Sequence, residues 1–205
     1  MRKRTDTPLN RTDLDEDPIV QFRFWFSEAA AVNPMPEAMS LATVDEAGHP
    51  DARMVLMKGV DSEGFRFFTN YDGTKAGQIS SSPFAALVFH WVELDRQVRV
   101  RGEVERLPET ESDAYFASRD RKSQIGAWAS PQSRTLDGGR EELEERTGRT
   151  EAEFDGETVG RPEHWGGYLV RPDQIEFWQG RRARLHDRFR YQRQEFGWRV
   201  ERLAP

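Results

Sequence analysis

The sequence predicts a mainly β fold, an antiparallel barrel with helices at its periphery. From Met39 onwards, apolar residues recur with a period of two in short segments, and turn-forming residues separate these segments. The segment Gln97–Leu107 shows the alternation best, because its valines would face inward while the charged residues between them face outward. Successive short strands of this kind are typical of an antiparallel barrel. The sequence contains no internal repeat and no low-complexity tract that would favour another architecture.

The chain begins with a polar segment that precedes the first predicted helix. Residues 1–16 are polar and charged, so we expect a flexible N-terminal arm there and a single barrel domain over residues 17–205. Asp17 can cap a helix whose first position is Pro18, where a missing N–H costs nothing. Apolar residues then recur at spacings of three and four as far as Ala29, which predicts an amphipathic helix.

The remaining elements follow from the same periodicities and from turn signals. Alternating or continuously apolar segments predict strands over Ser40–Val44, Ala52–Lys58, Gly64–Asn70, Ala85–Val92, Gln97–Leu107, Tyr168–Val170, Ile175–Trp178, Arg188–Arg193 and Trp198–Leu203. Helical signals predict further helices over Thr74–Ser81, Pro108–Arg119 and Gly138–Phe154. The helices interrupt the series of strands, as expected for peripheral elements of a barrel.

Composition excludes several classes of protein. The chain has no cysteine, so disulfides, thiolate metal sites and cysteine nucleophiles are excluded. The net charge of -6 argues against a general nucleic-acid binder. No apolar run approaches the roughly 18 residues of a membrane span, so we expect a cytoplasmic protein with no membrane partner. None of the 4 histidines has metal-ligand spacing to another, which predicts no metal.

The segment Glu176–Arg193, EFWQGRRARLHDRFRYQR, concentrates the candidate functional residues. If the run after its glycine turn is extended, Arg184, His186 and Arg188 point the same way. Cationic or protonatable groups on one face beside Trp178 suit a flat, anionic, aromatic ligand. On these residues alone, a solvated arginine-rich strand is an equally good interpretation.

Two further motifs put cations where a phosphate could bind. Arg53–Lys58, RMVLMK, carries cations five positions apart, which an unbroken strand would turn to opposite faces, as if to serve two different phosphates. Phe68–Ile79, FFTNYDGTKAGQI, leads through a glycine turn into a helix N-terminus, where exposed N–H groups attract anions. Thr74 would be the N-cap there, and Lys75 adds a charge. The simpler interpretations are a charged edge strand and an ordinary capped helix.

A third group combines hydroxyls, cations and an amide. Tyr115 and Arg119 are four apart on one predicted helix face and Ser123 follows shortly after, so with Lys58 they could form a phosphate cradle. Gln97 could both donate to and accept from the edge of a heteroaromatic ring. The alternatives are a core tyrosine beside a surface arginine, and a surface glutamine.

Several of these motifs resemble signatures of the pyridoxamine/pyridoxine 5′-phosphate oxidase family, foremost WQGRRARLHDRF and YFASRDRKSQIGAWASPQS (Tyr115–Ser133). The resemblance covers about residues 17–205. It implies an FMN-binding split β-barrel with flanking helices, assembled as a homodimer with sites at the subunit interface. It also implies an FMN-dependent oxidase of vitamin B6 biosynthesis and salvage. Such an enzyme makes pyridoxal 5′-phosphate from pyridoxamine 5′-phosphate and pyridoxine 5′-phosphate with O2, releasing H2O2 and, from the amine, ammonia.

The same resemblance implies roles for individual residues. Flavin contacts would come from Arg53, Met54, Val55, Leu56, Met57, Lys58, Phe68, Thr69, Thr74, Lys75, Gln97, Gln132, Ser133, Trp178 and Arg188. Substrate contacts would come from Lys58, Tyr115, Arg119, Ser123, Arg184 and His186, of which Arg184 and His186 would be catalytic. The chain departs from the family pattern at Thr74, where an arginine is usual, and at Arg4, where a tyrosine is expected.

Other functions remain open on the residues alone. A non-catalytic flavin or B6-vitamer binding protein could use the same barrel, and so could a flavin-dependent oxidoreductase with another substrate. A third possibility is an interaction module whose arginine-rich C-terminal region binds nucleic acid or an acidic partner, although the net charge of -6 counts against it.

Overall fold

The computed structural model describes residues 8–205, and in this part of the chain nine strands form one antiparallel sheet. The strands are β1 (Ala38–Val44), β2 (Pro50–Leu56), β3 (Gly59–Asp61), β4 (Gly64–Asn70), β5 (Phe84–Trp91), β6 (Arg96–Arg106), β7 (Trp165–Gln179), β8 (Asp187–Arg193) and β9 (Trp198–Leu203). The helices are α1 (Pro18–Ala30), α2 (Thr74–Ser81), α3 (Glu109–Ala117), α4 (Arg121–Ala129) and α5 (Gly139–Glu153). The predicted mainly β architecture with peripheral helices is confirmed.

Strand β7 holds the sheet together because it is shared by three neighbours. It pairs with β6 along most of its length, with β4 through its first part and with β8 through its last part. The register between β6 and β7 shifts between Arg101 and Gly102, which marks a bulge that bends the long strands. A Cβ at Gly102 would collide with the backbone carbonyl of Arg171, so the close approach at the bulge requires glycine.

The core lies inside the curl of the sheet, under helix α1. Asp17 caps this helix as predicted, its side chain accepting a hydrogen bond from the N–H of Ile19. The ring of Phe22 is fully buried, and its centroid lies 4.9 Å from that of Phe65 and 4.9 Å from that of Phe89. Edge-on aromatic contacts of this kind add to the stabilisation that the buried area supplies. Helix α1 therefore covers the aromatic core.

The N-terminal segment packs onto the sheet from residue 8 onwards. The predicted arm spans residues 1–16, of which residues 1–7 lie outside the described residues. Leu9 and Leu14 are buried, a 3₁₀ turn joins them, and the hydroxyl of Tyr191 donates to the carbonyl of Asp15 at 2.7 Å. The division into an arm and one barrel domain stays a prediction, but residues 8–16 have buried contacts that a polar composition did not suggest.

Two local predictions differ from the structure. The segments Tyr168–Val170 and Ile175–Trp178 belong to one strand, because Pro172 sits at the bulge, where a missing N–H breaks no regular pairing. Helix α4 was not predicted, although Asp120 caps it by accepting from the N–H of Ser123. Among residues 8–205, no helix is long and apolar enough to cross a membrane.

We expect Phe22→Ala to lower the free energy of unfolding by about 3–5 kcal/mol, since it leaves a cavity among aromatic rings. Phe24→Ala is the matched control, because Phe24 lies on the same helix with 57% of its surface exposed. That substitution should change stability by less than about 0.5 kcal/mol. Urea denaturation at fixed protein concentration measures both, and equal losses would contradict the assignment of Phe22 to the core.

Candidate functional site

A cavity of about 340 Å³ gathers most of the predicted phosphate-binding residues. Its walls come from β2, from β4, from the first turn of α2, from the end of α3 and from the start of β7. The lining residues are Arg53, Met54, Val55, Leu56, Lys58, Phe68, Thr69, Lys75, Tyr115, Arg119, Gln132 and Trp165. Residues separated by more than a hundred positions thus meet in one place.

Lys75 is a buried cation in this cavity. Its Nζ donates to Oγ1 of Thr69 at 3.1 Å and to Oε1 of Gln132 at 2.6 Å, and the residue is 9% exposed. The ion pairs among residues 8–205 include none that involves Lys75. Burial lowers the pKa of Lys75, and the nearby charge of Arg53 lowers it further, against a smaller opposing effect of Asp51. An anion in the cavity would relieve this cost.

Arg119 is a second cation without a carboxylate partner. Its Nη1 is buried and has no hydrogen-bond partner among the described residues. The guanidinium lies 4.6 Å from the centre of the Trp165 ring, and burial lowers the pKa of Arg119. Buried donors are satisfied in more than nine of ten cases, and an anion bound in the cavity would satisfy this one.

An aromatic wall separates these cations from the core. The rings of Phe68 and Tyr115 stack at a centroid distance of 3.9 Å, and Trp165 continues the stack 5.6 Å from Phe68. The wall gives the cavity a flat apolar side beside its cationic side. This combination suits a phosphorylated aromatic ligand.

Arg53 and Lys58 line the same cavity, which corrects the prediction that they face opposite ways. Strand β2 ends at Leu56, so the alternation of side chains stops before Lys58 is reached. Arg53 is held by its own chain, since Nη1 donates to Oγ1 of Thr43 at 2.6 Å and Nη2 to Oε1 of Gln78 at 3.0 Å. Asp51 pairs with the same guanidinium at 2.5 Å.

Four other predicted contacts lie outside the lining of this cavity. Met57 is buried in the core, and Ser133 is exposed with a positive φ of 69°. Ser123 lies in the first turn of α4, where its N–H bonds to Asp120. Thr74 is the first residue of α2 and not its N-cap, because Gly73 occupies the cap position. Thr74 lines a separate surface depression, beside the acidic turn that follows β1.

A second cluster occupies the far end of β7. Gln97, Trp178 and Arg188 are direct neighbours across β6, β7 and β8. Arg188 binds the carboxylate of Glu176 through two hydrogen bonds of 2.8 and 3.1 Å, and the Glu176 side chain is 4% exposed. The ring of His186 lies 4.6 Å from that of Trp178. These residues form a polar face beside the half-buried rings of Trp178 and His186.

The run between Gly180 and the next strand is not extended, which corrects the conditional prediction of one common face. A 3₁₀ turn spans Arg182–Arg184, with φ values of 53° at Ala183 and 63° at Arg184. The N–H of Arg181 donates to Nδ1 of His186 at 3.0 Å, which folds the loop back on itself. His186 still approaches Trp178, while the Arg184 side chain is exposed.

The two clusters lie at opposite ends of one long strand. Trp165 borders the cavity and Trp178 belongs to the second cluster, thirteen positions further along β7. A strand rises about 3.3 Å per residue, so this separation is about 43 Å measured along the strand. Within one chain, the cationic cavity and the Gln97–Trp178–Arg188 row are therefore distinct sites.

Two residues of these sites were not identified from the sequence. Trp165 stands beneath Arg119, and Glu176 holds Arg188. Glu176 lies in the segment Glu176–Arg193, which the sequence analysis identified. The sequence does not indicate, however, which of the neighbouring arginines this carboxylate binds. Among residues 8–205, no group of three histidine or acidic side chains could hold a metal ion.

Comparison with known proteins identifies the family. Residues 27–152 match the family described as "Pyridoxamine 5'-phosphate oxidase", and residues 165–205 match "Pyridoxine 5'-phosphate oxidase C-terminal dimerisation region". A protein of Salinibacter ruber named pyridoxine/pyridoxamine 5′-phosphate oxidase is 54% identical over 96% of this chain and 93% of its own. A Synechocystis protein of the same name is 50% identical over 98% of this chain and 94% of its own.

Solved structures agree on the fold. PhzG from Burkholderia lata, in complex with tetrahydrophenazine-1-carboxylic acid, has a TM-score of 0.90 and 28% identity, covering 98% of this chain and 99% of its own. A pyridoxamine 5′-phosphate oxidase-related, FMN binding protein from Nostoc punctiforme has a TM-score of 0.71 at 18% identity, covering 90% and 97%. The expected split barrel is confirmed, and the chain belongs to the pyridoxamine 5′-phosphate oxidase family.

Proposed function

We propose that this protein is a pyridoxal 5′-phosphate synthase. It oxidises pyridoxamine 5′-phosphate and pyridoxine 5′-phosphate with bound FMN, passes the electrons to O2, and releases H2O2 and, from the amine, ammonia. The carrying observation is the cavity in which the buried Lys75 and the half-buried Arg119, whose Nη1 is inaccessible to solvent, have no carboxylate partners in the described part of the chain. Two separate unpaired cations beside an aromatic wall match two phosphorylated rings, one of the cofactor and one of the substrate.

The polar side chains that surround the first turn of α2 fit the phosphate of FMN. Lys75, Thr69 and Gln132 already form a connected polar group, and an anion would take the place of neutral acceptors at Nζ. When bound, FMN supplies the capacity to accept two electrons and to return them to O2. Gln97, Trp178 and Arg188 of a second copy of the chain would border its ring, with the Arg188 guanidinium fixed in advance by Glu176.

The remaining cation fits the phosphate of the substrate. Arg119 has a free donor at Nη1, Tyr115 contributes a hydroxyl, and Lys58 lines the same cavity. Phe68 and Trp165 make up the rest of the aromatic wall, which would exclude water from one side of the substrate ring.

Arg184 and His186 would complete the site from a second copy of the chain. They lie in the loop that follows the far end of β7, and the region that matches the family's dimerisation region begins at residue 165. In a symmetric dimer the far end of one β7 can meet the cavity of the other subunit. Each of the two sites would then contain residues of both chains.

His186 would orient the substrate by donating a hydrogen bond. Its Nδ1 accepts from the N–H of Arg181, so the neutral ring carries its proton on Nε2. Arg184 would add a positive charge beside the ring substituents. Holding both rings in contact lowers the entropic part of the barrier, and this placement is the protein's own contribution to the reaction.

A different substrate is the main alternative. PhzG has the same fold and was solved with a tricyclic carboxylic acid. The carboxylate of this acid can also pair with Arg119, but it carries one charge and two acceptor oxygens, whereas a phosphate has close to two charges and three acceptor oxygens for Arg119, Lys58 and Tyr115. The cationic cavity therefore favours a phosphorylated substrate, and the assay below also separates an oxidase from a non-catalytic flavin or vitamer carrier.

Protein reconstituted with FMN should turn over pyridoxamine 5′-phosphate in air. The yellow flavin absorbance should bleach without oxygen and return with it, and pyridoxal 5′-phosphate and H2O2 should form in equal amounts. Bleaching by a phenazine precursor but not by the phosphorylated amine would favour the alternative substrate. A protein that binds FMN yet forms no product from either would be a carrier.

Arg119→Gln tests the substrate cradle in the same assay. Loss of a charge-assisted contact should raise KM for pyridoxamine 5′-phosphate about 10- to 100-fold. The affinity for FMN should stay unchanged. Lys122→Gln is the matched control, because Lys122 is an exposed cation close by on α4 and should leave KM unaltered.

Lys75→Met should stabilise the FMN-free protein and weaken FMN binding. Removing an unpaired buried charge should raise the free energy of unfolding by about 1 kcal/mol at neutral pH. Because the pKa of Lys75 is lowered from 10.5, this advantage should shrink as pH rises towards 10.5, where the unfolded chain also loses its proton. The Kd for FMN, measured by fluorescence quenching, should rise about 10- to 100-fold.

The control for this substitution is Lys122→Met, which removes an exposed charge and should change neither quantity. If Lys75→Met destabilised the FMN-free protein and left FMN binding intact, Lys75 would be a structural residue and the phosphate assignment would be wrong.

Hybrid dimers test the shared site. A hybrid of one Arg119→Gln subunit and one Arg184→Ala subunit should keep about half of the activity at low substrate concentration, because one of its two sites has only native residues. A hybrid of a native subunit and a subunit with both substitutions should be nearly inactive. The reverse pattern would show that each site is built within one chain.

A further inference from the structure

Three segments that are distant in sequence meet at the carboxylate of Asp187. Its Oδ2 accepts from the N–H of Leu9 at 3.0 Å, and its Oδ1 accepts from Nη1 of Arg202 at 2.6 Å. Nη1 of Arg181 lies 3.6 Å from Oδ2. The side chain of Asp187 is 11% exposed, so these contacts are largely shielded from water.

Arg202 closes a clamp around the Leu9 peptide. Its Nη2 donates to the carbonyl of Leu9 at 2.8 Å while Nη1 binds Asp187. One ion pair therefore holds both polar groups of a single residue in the N-terminal segment. Burial alone would raise the pKa of Asp187, but the hydrogen bonds from Leu9 and Arg202 hold it below its ordinary value, so the carboxylate stays charged at neutral pH.

The clamp lies beside the proposed substrate residues. Asp187 directly follows His186 and directly precedes Arg188, at the first position of β8. The loop before it has positive φ values at Ala183 and Arg184, so regular strand pairing does not fix its shape. Its geometry depends on the contact of Arg181 with His186 and on the way in which Asp187 fastens the end of the loop.

We propose that Asp187 is a positioning residue that joins the N-terminal segment to the loop carrying Arg184 and His186. Because the Asp187–Arg202 pair both binds Leu9 and fixes the end of this loop, the docking of Leu9 and the conformation of the loop are coupled. The consequence for substrate binding rests on the proposed function, whereas the docking of the N-terminal segment does not. The contacts of Asp187 lie apart from Lys75 and its neighbours, which would hold the FMN phosphate, so FMN affinity should change less than substrate affinity.

The test is Asp187→Asn in the FMN-loaded protein, with two readouts. The first is the rate of tryptic cleavage after Arg11, read by mass spectrometry. Losing a charge-assisted clamp should speed this cleavage about tenfold. The second is catalysis, where KM for pyridoxamine 5′-phosphate should rise about tenfold with a smaller change in kcat. The Kd for FMN should rise by a smaller factor than KM, because the proposed contacts to the FMN phosphate are untouched.

Two further variants keep the result interpretable. Asp173→Asn removes a carboxylate that pairs with Arg101 at the bulge, and it should alter neither readout. Arg202→Lys keeps the charge but loses the second donor to Leu9, so it should speed cleavage by a smaller factor even if Asp187→Asn does not fold. Retained flavin absorbance identifies the folded variants.

The outcomes separate the two claims. Native cleavage rates in folded Asp187→Asn and Arg202→Lys would overturn the clamp. Faster cleavage with an unchanged KM would overturn the link to the substrate loop. If the native protein oxidised no phosphorylated vitamer, the proposed function would fail while the cleavage experiment would still decide the clamp.

Discussion

The sharing of strand β7 among three neighbours is the constraint on which the rest of this structure depends. Because β4 pairs with its first part and β8 with its last part, the sheet has to bend where one neighbour gives way to the other. Gly102 permits that bend, since the carbonyl of Arg171 occupies the space a side chain would need. The same strand carries Trp165 at one end and Trp178 at the other, which sets the distance between the two polar sites.

The two sites differ in how their charges are balanced. At the far end of β7, Arg188 is neutralised by Glu176 and Arg202 by Asp187, so these cations are fixed by the protein itself. In the cavity, Lys75 has only neutral partners and one donor of Arg119 has none. Unpaired buried cations cost stability that a folded chain retains only if a bound anion repays it. The imbalance is therefore the observation that best supports the proposed phosphate sites in the cavity.

Individual helices and strands could be predicted from the sequence more accurately than the way in which they pack together. Helix α1 could be derived because Asp17 and Pro18 are a strong start signal, and β6 because its valines alternate. The continuity of β7 could not, since Pro172 reads as a strand breaker unless the bulge is known. Whether Arg53 and Lys58 face the same cavity depends on the residue at which β2 ends. Sequence propensity locates the end of a strand only to within a few residues.

In a single chain, the rim of the cavity carries an exposed apolar side chain. Met54 lines the cavity and is 65% exposed, whereas the aromatic wall consists of the buried Trp165 and the half-buried Phe68 and Tyr115. An exposed apolar side chain at the rim of a cationic pocket gains stability when a flat ring or a second protein surface covers it. In the proposed homodimer, the loop around Arg184 of the second subunit, which is exposed in one chain, would cover this rim and bring Arg184 and His186 to the cavity. Dimerisation and catalysis would then depend on the same surface.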